Sequence, residues 1–269
     1  MSETTRTSGD LVRQIVTLVV ILGASVAANL LGMSVNGQET GDIANTTFND
    51  TVLFFPATYV FGTIWPVIYL GIIGLAIHQV LPSQATNLTY RQGGYLLAAN
   101  LILNALWVWV FGIGEFVISF FLILPIVATA VLAYMWLGIG APTGQPGGAP
   151  VIERVFKVAV GIYAAWLTIA TIASAATALV SAGWNGFGLT DTVWTVIMLG
   201  VGTLLCILLV IRFKDPTFAA VYVYAFIGIL VRRYETHWTV GLAAAVTAAI
   251  CVVLFAWAGI ARLRLRQTA

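Results

Sequence analysis

The sequence predicts an all-α polytopic membrane protein with eight transmembrane helices. Three observations predict it. The chain is 60% hydrophobic with a mean hydropathy of +0.99. Only 8% of its 269 residues are charged. Its apolar residues fall in long runs that are apolar on every face. A soluble domain carries roughly 25% charged residues, about three times the share here, so a water-facing globular surface is excluded. A net charge of +2 supplies no basic footprint for nucleic acid, and the composition is the reverse of a disordered chain. The solvent for most of the chain is the lipid bilayer.

A helix crossing ~30 Å of hydrocarbon needs about 20 mostly apolar residues. Eight stretches meet or approach that length: Leu11–Met33, Val52–Val80, Gly94–Gly112, Phe116–Leu137, Val155–Ala182, Thr192–Phe213, Thr217–Val231 and Trp238–Ala261. The seventh is the shortest, with 15 uncharged residues. Membrane strands would alternate polar and apolar residues over ~10 positions, which none of these runs does. Helices are then the structure that satisfies the backbone in hydrocarbon. The first run is long, is interrupted by Asn29, and precedes no clear small-residue cleavage site, so it reads as a retained helix and not a signal peptide.

Lysine and arginine set the expected orientation. With the N-terminus in the cytoplasm, Arg6, Arg13, Arg91, Arg154, Lys157, Arg212, Lys214, Arg262, Arg264 and Arg266 fall inside, and only Arg232 and Arg233 fall outside. The first outer loop, Ser34 to Thr51, carries Glu39, Asp42 and Asp50 with no basic residue. Both termini are therefore expected in the cytoplasm, and the Arg232–Arg233 pair is the misfit. A Gly- and Pro-rich linker, Gly138 to Pro150, joins spans four and five.

No Asp, Glu, Lys, Arg or His lies in the middle of a span, which argues against proton relays, ion coupling and voltage sensing. The two histidines, His78 and His237, stand at the ends of different spans on opposite expected sides, so they cannot share an iron. Cys206 and Cys251 lie within spans six and eight and read as small apolar packing residues, not a disulfide or metal pair. No catalytic residue and no metal ligand is assigned.

The unusual content is aromatic, with 9 Trp, 9 Tyr and 14 Phe. Trp136, Trp184, Trp194 and Trp238 fall where interfacial tryptophans are expected. Trp65 and Trp166 fall about 13 and 11 residues into their helices, ~17–20 Å deep at 1.5 Å per residue. Trp65 and Tyr69 share a face at i, i+4, with Pro66 beside them removing a backbone donor. Asn100, Asn104 and Trp107 share a face of span three, and buried amides there need partners.

The string Tyr59-Val60-Phe61-Gly62-Thr63-Ile64-Trp65-Pro66-Val67-Ile68-Tyr69 resembles the TspO/MBR family of translocator or tryptophan-rich sensory proteins. The family's string runs roughly Trp-Val-Phe-Gly-Pro-Val-Trp-Thr-x-x-Tyr after a Pro-Pro pair. Asn100-Leu-Ile-Leu-Asn104-Ala-Leu-Trp107 is similar to its Gln-Leu-x-Leu-Asn-x-x-Trp, and Tyr163-Ala-Ala-Trp166 to its Pro-Tyr-Leu-x-Trp. The three motifs occur in family order on helices two, three and five. Departures are the single Pro56, Tyr59 in place of Trp, Asn100 in place of Gln, and Ser174 near a position where the family commonly has Asn.

The resemblance implies a TspO-like five-helix bundle over residues 11–185, followed by a three-helix extension over 186–262, with tails at 1–10 and 263–269. It implies a pocket for a flat apolar ligand, a tetrapyrrole such as porphyrin or haem, and no required cofactor. Trp65, Tyr69, Asn104, Trp107 and Trp166 match ligand-binding positions, with Tyr59, Phe61, Asn100 and Tyr163 as further lining. Family members are often dimers, so a homodimer or larger membrane complex is expected. The extension has two readings, a cover for a surface otherwise used for self-association and a packing appendage with no ligand role. Three functions remain open: a binding protein for sensing, sequestration or transport in the bacterial cytoplasmic membrane, a light-dependent porphyrin-degrading enzyme, and a structural subunit whose tryptophans fill helix interfaces. Finding side chains such as Phe61 or Phe111 in the pocket would favour the last.

Overall fold

The computed structural model describes residues 6–34, 42–43, 46–137 and 151–267. The linker Gly138 to Pro150, Glu39 and much of the first loop lie outside the described residues. Among those described there are eight long helices and no strand: α1 (Ser8–Ser34), α2 (Thr58–Gln79), α3 (Leu88–Gly112), α4 (Phe116–Trp136), α5 (Val151–Ser181), α6 (Asp191–Phe213), α7 (Pro216–Arg233) and α8 (Trp238–Gln267). All eight are long and apolar enough to cross a membrane. Their outward faces carry exposed apolar side chains such as Leu70, Phe121, Leu204 and Val253, the reverse of a soluble exterior.

Local chemistry sets several boundaries. Asn87 caps α3 by accepting the Thr89 N–H at 3.0 Å. Thr190 caps α6 through Val193 N–H at 3.4 Å. Asp215 caps α7 through Thr217 N–H at 2.9 Å, with Pro216 at the first helical position, where its missing donor costs nothing. The turn between α6 and α7 is made possible by Lys214 in the left-handed region at φ 50°.

Two expected boundaries move. The second span starts at Thr58, not Val52, because Pro56 disfavours helical backbone at the residue before it, and Phe54-Phe55-Pro56 folds inward as a buried loop. The termini are also more helical than expected. α1 begins at Ser8, and α8 continues to Gln267 because Arg-Leu-Arg-Leu-Arg contains only good helix formers. The seventh span, the shortest, is a continuous helix of 18 residues, ~27 Å long at 1.5 Å per residue. Its low hydropathy is offset by burial among its neighbours.

α1 packs on α2 and α3, α3 on α4, α4 on α5, and α5 on α2, which closes a ring in the order 1-2-5-4-3. Gly71 lets α2 approach α5 closely, since a Cβ there would stand 2.0 Å from the Ala159 Cβ. The remaining helices dock through α7, which lies mainly against α5. α8 covers α7, and α6 packs on α8 and α7 while barely touching α5. Tyr134 of α4 donates to Asp215 at 2.7 Å, and Arg262 of α8 pairs with the same carboxylate at 3.0 Å, so one buried acid ties the ring to the last helices. At the same end of the bundle Asp10 takes two bonds from Arg91 at 2.7 and 2.6 Å, which raises the Arg91 guanidinium above its usual range. Buried charges thus sit at helix ends, away from mid-membrane.

Candidate ligand-binding cavity

A cavity of about 40 Å³ lies between α2, α3, α5 and the loop before α2. Trp65 enters from α2, Trp107 and Phe111 from α3, and Trp166 with Ser174 from α5, while Phe54, Phe55 and Pro56 form the roof. The helical spacing explains the convergence. Trp166, Ile169, Ala170 and Ala173 form one stripe of α5 facing this space. The rings are held by each other: Trp65 stacks on Tyr69 at 5.6 Å, and Phe61 meets Trp166 edge-on at 5.7 Å. Trp65 also stands 6.2 Å from Tyr163, and Trp107 5.3 Å from Phe111.

Polar groups in this region are few and mostly donors. Tyr69 donates its hydroxyl to Asn104 Oδ1 at 2.8 Å, which orients the amide and leaves Asn104 Nδ2 with no partner. Trp107 Nε1, Trp166 Nε1 and the Tyr163 hydroxyl are also buried without partners. Each such group costs roughly 1–3 kcal/mol in a site closed to water. A cluster of them from α3 and α5 is unusual among native interiors.

The other expected positions divide. Phe61 lines the cavity and, with Phe111, accounts for its small volume. Tyr163 is buried beside Trp65. Asn100 is buried but is spent elsewhere: Nδ2 donates to Ile126 O at 2.7 Å and Thr129 Oγ1 at 2.8 Å on α4, an interhelical clasp. Tyr59 is 47% exposed and is not among the residues lining the cavity, since its place on α2 turns it outward.

Sequence reasoning missed the roof and what holds it. Phe48 packs edge-on against Phe116 at 4.7 Å. Arg232 donates to Asn49 Oδ1 at 2.7 Å and to Pro56 O at 3.2 Å. Arg233, only 2% exposed, donates to Leu53 O at 3.2 Å. The Ala57 N–H donates to Gly228 O at 3.1 Å. A Cβ on Gly228 would stand 2.8 Å from Pro56 and 2.5 Å from Val60, so only glycine lets α7 sit this close. The two arginines that broke the orientation rule are therefore roof clamps. Their one readable signal was that misfit.

The two cysteines are free thiols in α6 and α8 with sulfurs 3.7 Å apart. His78 is paired with the Tyr90 hydroxyl at 2.7 Å, well away from the cavity roof. Among the described residues no group of three or more His, Cys, Asp or Glu side chains could hold a metal ion.

No curated protein and no solved structure matches the chain. One family model does, described as TSPO-like protein, over residues 12–257. That match runs through α6 and α7 and into α8, so the last three helices fall inside the family's span and are not foreign to it. With eight membrane-length helices, a five-membered ring and an aromatic cavity within it, the chain belongs to the TSPO-like family.

Proposed function

We propose that this protein binds a flat, largely apolar ligand carrying hydrogen-bond acceptors, a tetrapyrrole such as porphyrin or haem, for sensing, sequestration or transport. The observation that carries the reading is a pair of unpartnered donors on rings that line the cavity, Trp107 Nε1 and Trp166 Nε1, with Asn104 Nδ2 and the Tyr163 hydroxyl unpartnered on the same two helices but outside the present lining. Indole faces supply stacking area, and unpartnered donors on the lining rings suit the carboxylates or carbonyls of such a ligand. Ligand pockets typically enclose about 300–1,000 Å³, so a macrocycle requires the Phe54–Pro56 roof and Phe61 to move. The ligand would be cargo or signal, with no resident cofactor. The lysine and arginine distribution supports both termini inside, and the proposed setting is a bacterial cytoplasmic membrane, as a homodimer or part of a larger complex.

Protoporphyrin titrated into the detergent-solubilised full chain should quench tryptophan emission saturably. Trp65→Phe and Asn104→Ala should each weaken it about tenfold, the effect of losing one directed contact of ~1.4 kcal/mol. Unchanged quenching in both variants removes this site. One observation favours a second reading, a structural or assembly subunit: the cavity is only about 40 Å³ and is bordered by Phe61 and Phe111. Absence of any saturable quenching would select that reading.

A further inference from the structure

A second and larger cavity, about 380 Å³, opens between α5 and α6 at the end of the bundle that carries the roof loop. It lies on a different face of α5, since Ile172, Ala175, Ala176 and Leu179 line it whereas Trp166, Ala170 and Ala173 line the first. Its volume falls within the usual range of ligand sites, about 300–1,000 Å³. The wall is apolar from Ile172 to Val180, ~12 Å along the helix. The mouth carries Trp184, Trp194, Asn185 and Asp191, whose carboxylate is the one charged group in the lining.

The mouth is constructed with care. Trp184 and Trp194 stand 4.8 Å apart, tilted by 56°. Trp194 is fixed by its Nε1–H bond to Gly186 O at 2.7 Å. Gly186 has a positive φ of 64°, and a Cβ there would lie 3.0 Å from Trp194 Nε1, so the indole can abut the turn only because the residue is glycine. The turn also holds Phe187 at φ 53°, a conformation rare for a bulky residue, with its ring against Trp184 at 5.3 Å. At depth Gly202 of α6 faces Ile172 of α5, and a Cβ there would be 3.6 Å from that side chain.

We infer that this cavity binds an amphiphile with an ammonium head, the head held by Asp191 and the faces of Trp184 and Trp194, the hydrocarbon tail running down the α5–α6 wall. Charge selects the head: indole faces attract cations, and Asp191 repels anions. The apolar shaft selects a tail in place of a compact solute. Two sources share this chemistry, a membrane phospholipid with an ethanolamine or choline head and a free single-chain alkylammonium compound. The inference is independent of what the first cavity binds.

The test uses the full chain in maltoside micelles, titrated with dodecyltrimethylammonium or with dodecanoate and read by native mass spectrometry. The cation should bind one saturable site about tenfold more tightly than the anion, the combined effect of one exposed carboxylate and two indole faces. Asp191→Asn should bring the two within about threefold of each other, the residual preference coming from the indoles. Ala176→Trp should fill the groove and abolish both. Phosphatidylethanolamine competing with the same Asp191 dependence assigns the site to lipid, and failure to compete assigns it to single-chain amphiphiles. The inference is overturned if the wild type shows no saturable site, if it binds the anion as tightly as the cation, or if Asp191→Asn leaves the preference intact.

Discussion

Removing the arginine clamp should loosen the roof of the aromatic cavity without unfolding the helices below it. Arg232→Ala and Arg233→Ala together delete three well-formed bonds from charged donors, to Asn49 Oδ1 at 2.7 Å and to Pro56 O and Leu53 O at 3.2 Å each. Such bonds contribute about 1.5–3 kcal/mol each when the acceptor cannot rehydrate. The loop carbonyls lie at a helix end, where water can replace the guanidinium, so we take about 1.5 kcal/mol for Arg233→Ala and about 3 kcal/mol for the pair. Those values correspond to roughly tenfold and hundredfold increases in the open population. Amide hydrogen exchange reads this directly. Ala57 N–H bonds to Gly228 O across the interface, and Val52 N–H bonds to Phe48 O within the roof. Both should exchange faster by those factors, while the amides of α4 stay unchanged. If protoporphyrin must displace the roof, its association should quicken in parallel. Unchanged exchange at Ala57 in the double variant would refute the clamp, and equal acceleration throughout α4 would show general unfolding in its place.

Other outcomes follow from the packing. Gly71→Ala should destabilise the chain by about 1–3 kcal/mol through overpacking, because its Cβ meets Ala159 at 2.0 Å, whereas Gly62→Ala, with nothing within 4 Å, should be neutral or mildly stabilising. Thermal unfolding in detergent compares the two. Asp215→Asn puts an uncharged amide against Tyr134 and deprives Arg262 of this carboxylate, and should cost about 2–4 kcal/mol, read as a lowered Tm. Mild oxidation with copper phenanthroline should join Cys206 to Cys251 within one chain, seen as the loss of two hydrogen masses, because their sulfurs already stand 3.7 Å apart. Absence of that product would place α6 and α8 differently.

What the sequence disclosed follows from which forces leave a local trace. Hydropathy is summed along the chain, so eight spans could be read from runs alone, down to α7 with its 18 residues. It does not distinguish a membrane helix from a buried loop, which is why Val52 to Ala57 was read as helix when it is the roof. Helical spacing put Trp65 and Tyr69 on one face, where the rings stack. Spacing says nothing of partners on other helices, so the bonds of Asn100 to Ile126 and Thr129 left no trace and its expected place was further pocket lining. The arginine clamp was hidden for the same reason, since Arg233 reaches back across the chain to Leu53. Cavity volume leaves no trace at all in spacing, because it depends on how Phe61 and Phe111 turn once the helices are assembled.

The unpartnered groups bear on how the cavity and its roof work together. Asn104 Nδ2, Trp107 Nε1, Trp166 Nε1 and the Tyr163 hydroxyl lack partners below, and Arg233 Nη2 lacks one above. A closed, empty site therefore stands at a cost of order 1 kcal/mol or more per group, which a ligand with matching acceptors would recover on binding. That recovery offsets the work of displacing Phe54, Phe55 and Pro56, so the same deficit that destabilises the empty state favours the filled one. The roof is held from α7, inside the stretch matched by the family model but outside the five-helix ring. The last three helices are then positioned to set how readily the ring's cavity opens, without contributing a side chain to its lining.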